Sequence, residues 1–496
     1  MFGKEKARVA GRTGIADCFS VFSWPGVLLF LSFLLLIYLN AEGFSLWYFG
    51  EDFGWMQWTS GRDFAAVMSP PPASYYRPLA ANIPYFFFGR MENGIFWWRA
   101  FSFFMVCFTG FLFWKWTREL AGNSWVALAL TCVWLFNPSQ AYGMIYLNAL
   151  DYILTLFFLV AVLRALQLRK FGLAYGVFFA ALFAKELLLG IPTFFFLWRR
   201  RYKIPFRWLV LSGLTTAALM LVLKGYSLKA ATVGGFEVVT AANGFWQHVT
   251  YLIRDAFWGF GGMKGVALWF PLAWLTVGIC FFAKWWKGRR EPTYLLHLAA
   301  LIIFFAPLTL LRQVISEDLG PIYWIFLFGA AASAMGTVPE SILPKAKTVF
   351  SLLLVFCAWA YSFGADGYRQ RYVGMSENYY QIVQKTIPLL SGCGRFDRVL
   401  LSGLENVFTS EIFQEYAAQG LRVMQPEAKF YILQLPGPRS QISIRDNAYL
   451  WAQDWQAEGH PRLNYRRNAD GKIAVEWAQG SPLCRTSAES MPPRKI

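Results

Sequence analysis

The chain has 496 residues, of which 56% are hydrophobic and 19% aromatic, and charged residues reach only 15%, against about 25% in an ordinary soluble domain. With a mean hydropathy of +0.38, this composition excludes a water-soluble globular protein. The formal charge of +17 would suggest nucleic acid on a soluble chain, but here the basic residues fall between apolar runs, which points to membrane topology and away from a nucleic-acid partner. Three histidines and seven cysteines, none in a CxxC pair or an HExxH, leave little material for a zinc or iron–sulfur site.

The start, MFGKEKARVAGRTG, leads into an apolar run from Trp24 to Leu39 with no small-residue cleavage site behind it, so an uncleaved first span is expected. Runs long enough to cross about 30 Å of hydrocarbon as helices lie near 24–39, 95–114, 124–138, 144–163, 208–223, 266–283, 294–311, 321–337 and 347–363. Between Lys170 and Arg199, FGLAYGVFFAALFAKELLLGIPTFFFLW is broken by Lys185 and Glu186 and flanked by basic clusters at both ends. It predicts a hairpin of two short helices with Lys185 and Glu186 at its tip. The fold class expected is therefore an all-α polytopic bundle of about eleven transmembrane helices over residues 1–365.

With the N-terminus inside, the short cytoplasmic segments hold more than twice as many Lys and Arg as the longer outer loops, as the positive-inside rule requires. An odd number of spans places the C-terminus outside, in the periplasm of a bacterial inner membrane. From about Asp366 hydropathy drops, and short β-like runs such as RVLLSGL and KFYILQL alternate with turn signals such as LPGPRS. A small α/β domain over 366–496 is expected outside the membrane. Its charges nearly balance, so the excess positive charge belongs to topology.

The first outer loop, residues 40–94, opens with two adjacent acids, Glu51 and Asp52. A carboxylate near a low-dielectric boundary holds protons more tightly, which suits a general base toward a hydroxyl; the same pair also reads as solvated loop acids. FGWMQWTSGRDFAAVM then has aromatics spaced for an interfacial helix, and PPPASYYRPL sets Tyr76 and Arg77 in a rigid turn. Arginine suits a phosphate near a membrane surface, or simply lipid headgroups. Asn137-Pro138 ends one predicted span, and Asn148 and Asp151 fall in the first turns of the next, where an acid marks a polar cavity or a charged partner. Lys185 and Glu186 suit an anionic headgroup or an internal ion pair. His248, in NGFWQHVTYLIRD, is a lesser candidate beside a histidine satisfied by water.

Glu51-Asp52, the YRPL turn at Tyr76 to Leu79, the NPSQAYGMIYLNALD link and the AKE tip at Ala184 to Glu186 together resemble the GT-C superfamily of polytopic glycosyltransferases, nearest to O-mannosyltransferase-like members and their bacterial relatives. The resemblance covers roughly residues 25–200, with the remainder alike only in topology. It implies a polyprenyl-phosphate sugar donor, Asp52 or Glu51 as the base, and Arg77, Lys185 and Arg312 on phosphate. The sequence departs from the pattern at Asn137 to Gln140, where relatives carry a histidine-rich link, and at SEDLGPIYW, the stretch after Arg312 that holds Glu317 and Asp318, where relatives carry an aromatic-proline motif. An inverting displacement fits these groups, with a base on the acceptor side of the anomeric carbon and cations on the leaving phosphate.

The function expected is transfer of one sugar from a polyprenyl-phosphate carrier to a lipid, glycan or protein acceptor on the periplasmic face, within the lipid bilayer. No cofactor follows from the sequence, and participation of a divalent metal stays open. A transporter or lipid flippase is the main rival, since intramembrane charges also mark transport pathways, and a noncatalytic envelope scaffold is a third reading. Cys393 and Cys484 are the only cysteines in the predicted outer domain, so a disulfide between them is expected in an oxidising compartment; two unrelated thiols are the alternative.

Overall fold

The computed structural model describes residues 23–50, 52–69, 77–231, 246–247, 249–250, 253–254, 269–286, 293–306, 316–335, 346–391, 399–408, 411–425, 430–434, 451–453 and 461–478. Each of the nine apolar runs contains a helix among the described residues. The chain enters through α1 (Trp24–Leu39), with Pro25 in its first turn, where a missing N–H costs nothing. The loop between the first two long apolar runs, the one expected to be outside, carries α2 (Asp52–Thr59), α3 (Phe64–Val67), a π-helical turn (Pro78–Asn82) and α4 (Ile83–Phe88). The bundle continues with α5 (Gly94–Ala121), α6 (Ser124–Leu135), the short α7 (Gln140–Ile145) and α8 (Leu150–Gln167).

The Lys170–Arg199 segment folds as α9 (Phe171–Ala181), a 3-10 turn (Glu186–Gly190) and α10 (Pro192–Leu197), followed by the single turn α11 (Arg199–Tyr202). Its two ends return to one side of the bundle. Gln167, just before it, donates to Trp116 O near the end of α5, and Trp198, at its far end, packs on His297, which itself packs on Trp116. The remaining bundle helices are α12 (Phe206–Ala231), α13 (Trp269–Trp286), α14 (Thr293–Phe305), α15 (Ser316–Met335) and α16 (Ala346–Ser391).

Among the described residues, three helical segments are long and apolar enough to cross a membrane by length and composition: Gly94–Ala121, Leu147–Gln167 and Phe350–Leu390. Eight further apolar helices are shorter, at 10–17 residues. Many of their large side chains face outward, including Phe30, Leu34, Phe104, Leu214, Leu275, Ile302, Leu352 and Val355. A helix with apolar side chains all round is compatible with a lipid surrounding. Inside, two buried indole N–H groups find backbone acceptors, Trp269 donating to Val133 O at 2.7 Å and Trp134 to Pro321 O at 3.0 Å, as a dry interior favours.

Helix α16 departs most from expectation. Hydropathy falls after Phe363, yet the helix runs unbroken through Asp366 to Ser391, 46 residues in all. At 1.5 Å per residue it is about 70 Å long, more than twice the roughly 30 Å hydrocarbon thickness. Side contacts hold its polar half: Tyr361 donates to Asn40 Oδ1 at 2.8 Å, Arg369 to Leu39 O at 2.9 Å, and Ser376 Oγ accepts from Trp47 N at 2.7 Å. Farther along, Gln381 Oε1 accepts from Ile473 N and Thr386 pairs with Tyr465. One helix thus joins the exit of α1, the outer loop and the C-terminal sheet, so loop and sheet lie on the same side of the bundle.

That sheet has five strands in the order β3-β2-β1-β4-β5: β1 (Val399–Ser402), β2 (Phe430–Gln434), β3 (Trp451–Gln453), β4 (Arg462–Arg467) and β5 (Ile473–Trp477). The first four run parallel and β5 is antiparallel to β4. The amphipathic helix α17 (Glu411–Met424) makes the crossover from β1 to β2. The run VLL of β1 is buried throughout, as a central parallel strand covered on both faces should be.

Candidate functional site

Asp151 sits in the first turn of α8, at the end of the bundle facing the outer loop, since α8 ends at the opposite side beside Trp116. Its Oδ2 accepts from two cations at once, Arg77 Nη1 at 2.8 Å and Lys185 Nζ at 2.8 Å. The three side chains are only 20%, 11% and 19% exposed for Arg77, Asp151 and Lys185. Among the described side chains, two cations thus share one carboxylate oxygen.

The backbone brings them together. Arg77 precedes Pro78, which biases it toward extended geometry and opens the π-helical turn. Leu79 N then donates to Phe183 O at 3.1 Å, stitching the YRPL turn to the hairpin tip. Lys185 is fully extended at φ −159°, ψ 142°, beyond the buried Ala184. Glu186 opens the next 3-10 turn; its side chain, like those of Glu317 and Asp318, lies outside the described part.

An apolar cavity of about 390 Å³ is lined by Leu79, Pro84, Phe87, Phe101, Leu154 and Phe158 among others, with none of the three charged residues in its lining. Asp151, Leu154 and Phe158 recur at helical spacing and share one face of α8. A single face therefore leads from the polar trio into the apolar cavity, and Leu79 of the cavity wall is two residues from Arg77.

Asp52 lies in a separate, neighbouring network. It opens α2 and is fully buried. Phe49 N donates to its Oδ2 at 3.1 Å and Tyr85 Oη to its Oδ1 at 2.5 Å. Arg99, buried within α5, donates to the carbonyls of Leu46, Trp47 and Ile145, and Asp52, Tyr48 and Arg99 are close enough to feel one another's charge. Burial, reinforced by the Asp52 carboxylate, raises the Tyr48 phenol above its ordinary pKa, which keeps it a neutral hydrogen-bond donor. One segment connects the two networks: Arg77 at its start turns to Asp151, and Tyr85 on α4 turns to Asp52.

The structure thus brings together Arg77, Asp151 and Lys185, and places Asp52 one segment away with both oxygens engaged. Glu51, Tyr76, His248, Arg312, Cys393 and Cys484 lie outside the described residues. Among the described residues no three of His, Cys, Asp and Glu gather closely enough to hold a metal ion. Sequence reasoning missed Arg99 and Tyr85. A lone cation inside the apolar run IFWWRAFSFF is a signal for Arg99; nothing in the local sequence singles out Tyr85. No protein-family model matches the chain, and no curated protein matches it.

Proposed function

We propose that the chain is an integral inner-membrane glycosyltransferase of GT-C type, which moves one sugar from a polyprenyl-phosphate donor to an acceptor on the periplasmic face. The observation that carries this reading is the Arg77–Asp151–Lys185 trio, together with an apolar cavity whose wall includes Leu79 and Leu154, two and three residues along the chain from Arg77 and Asp151. A polyprenyl phosphate has the matching chemistry, an anionic head for the two cations and a hydrocarbon tail for the cavity. The proposed topology has eleven spans, with the N-terminus cytoplasmic and loop and sheet in the periplasm. Each helix too short to span alone crosses with its flanking turns.

In the reaction, Asp52 takes the proton of the acceptor hydroxyl, whose oxygen attacks the anomeric carbon from the face opposite the phosphate. The bond from that carbon to the phosphate oxygen breaks, and Arg77 and Lys185 take up the charge on the departing phosphate. Asp52 accepts hydrogen bonds from Tyr85 and Phe49, which hold its carboxylate in one orientation. Because it is sealed from solvent here, acceptor entry has to open a path to it.

The test uses purified protein in nanodiscs with undecaprenyl phosphates that each carry one labelled hexose or pentose. Release or transfer of label from one of them supports the reading. Movement of an intact labelled lipid between leaflets of proteoliposomes, with no release from any donor, contradicts it and favours a flippase.

A further inference from the structure

The C-terminal sheet and the outer loop are joined at one unusually close crossing. Helix α17 packs on α2, with two glycines placed reciprocally. A Cβ at Gly420 of α17 would meet three ring carbons of Phe53 at 3.2 Å, and a Cβ at Gly54 of α2 would meet Gln419 Oε1 at 3.1 Å. A side chain at either glycine requires its neighbour to give by a few tenths of an ångström, and at Gly420 that neighbour is a fully buried ring with little room to do so.

Phe53 is fully buried, and its ring also contacts Trp47 at 5.5 Å and Tyr379 of α16 at 5.4 Å. Tyr379 in turn stacks on Phe408 beside the sheet at 4.7 Å. Gln419 is 6% exposed, and its Oε1 has no hydrogen-bond partner among the described residues. The side-chain amide is therefore kept at the crossing by shape rather than by a bond of that oxygen. Residues 53 and 54 directly follow Asp52, so the crossing grips the first turn of the helix that Asp52 begins.

We infer that the C-terminal domain is a positioning element for Asp52: the Gly54–Gly420 crossing fixes the first turn of α2 and so holds the carboxylate in register with Tyr85 and the Phe49 amide. Its role in turnover rests on the reading of Asp52 as the base; the positioning itself does not. The domain is then part of the reaction centre, and acts on it without touching the donor.

The experiment uses the full chain in nanodiscs, with amide hydrogen exchange of residues 53–59, binding of undecaprenyl phosphate, and sugar release from the labelled donors above. Gly420→Ala is expected to speed exchange in α2 about tenfold through local opening and to lower sugar release by about the same factor. Undecaprenyl phosphate affinity should stay within about twofold, since the cations sit elsewhere. Phe53→Leu in the Gly420→Ala background makes room and should restore both exchange and release. Gly54→Ala, relieved by Gln419→Ala, is an independent pair, and Gly374→Ala, whose Cβ meets open space, is the control. Wild-type exchange in both glycine variants, or faster exchange that neither second substitution reverses, overturns the inference. So does wild-type release in Gly420→Ala when Asp52→Asn is inactive. If Asp52→Asn releases sugar normally, the base reading falls, and the exchange measurements still decide the positioning.

Discussion

Arg77 and Asp151, 74 positions apart in the chain, meet at 2.8 Å with Arg77 donating to Oδ2. Lys185 donates to that same oxygen, so the carboxylate is the fixed point of the cluster and each cation has a second cation for company. Removing Asp151 takes away the carboxylate that both cations share in a largely buried place. Asp151→Ala should therefore cost about 3 kcal/mol of stability, the range for breaking a buried pair. Arg77→Ala or Lys185→Ala should cost less, because the remaining cation keeps the carboxylate paired. Thermal unfolding in one detergent, with the three variants side by side, checks the order.

Binding should show the opposite order. Arg77→Ala and Lys185→Ala each remove a charge-assisted bond to phosphate, and each should weaken undecaprenyl phosphate binding about tenfold, which corresponds to about 1.4 kcal/mol. Titration calorimetry in nanodiscs measures this. Normal affinity in both variants would remove the donor role of the trio.

The cavity wall offers a separate handle. Leu154→Trp fills part of the 390 Å³ space without touching a charge. It should weaken binding of the long polyprenyl phosphate about tenfold while leaving a short-chain alkyl phosphate, which reaches only the cations, nearly unaffected. Equal effects on the two ligands would detach the cavity from the tail.

Asp52→Asn keeps the shape and removes the basicity, so turnover should fall about 100-fold or more. Tyr85→Phe removes one of its two described donors and should lower turnover by about tenfold, a loss of about 1.4 kcal/mol. Full turnover in Asp52→Asn together with loss in Glu51→Gln would reverse the roles of the two acids.

Cys393 and Cys484 lie outside the described residues, and their pairing is an expectation from sequence. If both are periplasmic and bonded, alkylation of the unreduced, denatured protein should leave them unlabelled, whereas Cys107, Cys132, Cys280 and Cys357, all free thiols, should label. The loop they close would contribute roughly 4 kcal/mol on the chain-entropy account. Labelling of all seven cysteines would exclude the bridge and count against a periplasmic C-terminal domain.

Helix placement is legible in the sequence because apolar length is a direct physical requirement for a lipid-facing helix. The break at Lys185 is legible for the same reason, since a charge inside an apolar run must reach a partner; the partner is Asp151, itself marked by its depth. The reach of α16 is not legible. Its second half is polar, and it stays helical through contacts with Leu39, Trp47 and Ile473 that are remote in sequence. The burial of Asp52 is hidden likewise, because an acid in a loop gives no sign that Tyr85 and α17 close over it. Arg99 is legible too, as an arginine alone among aromatics; it caps the carbonyls of Leu46, Trp47 and Ile145, the last at the end of α7.

The most direct measurement of the central claim is a single-particle cryo-EM structure of the protein in nanodiscs with undecaprenyl phosphate bound. The account predicts phosphate density within hydrogen-bond distance of Arg77 and Lys185, with the first isoprene units running past Leu79 and Leu154 along the face of α8. Phosphate density elsewhere on the protein, with the Arg77–Asp151–Lys185 trio unchanged and the cavity empty, would contradict it.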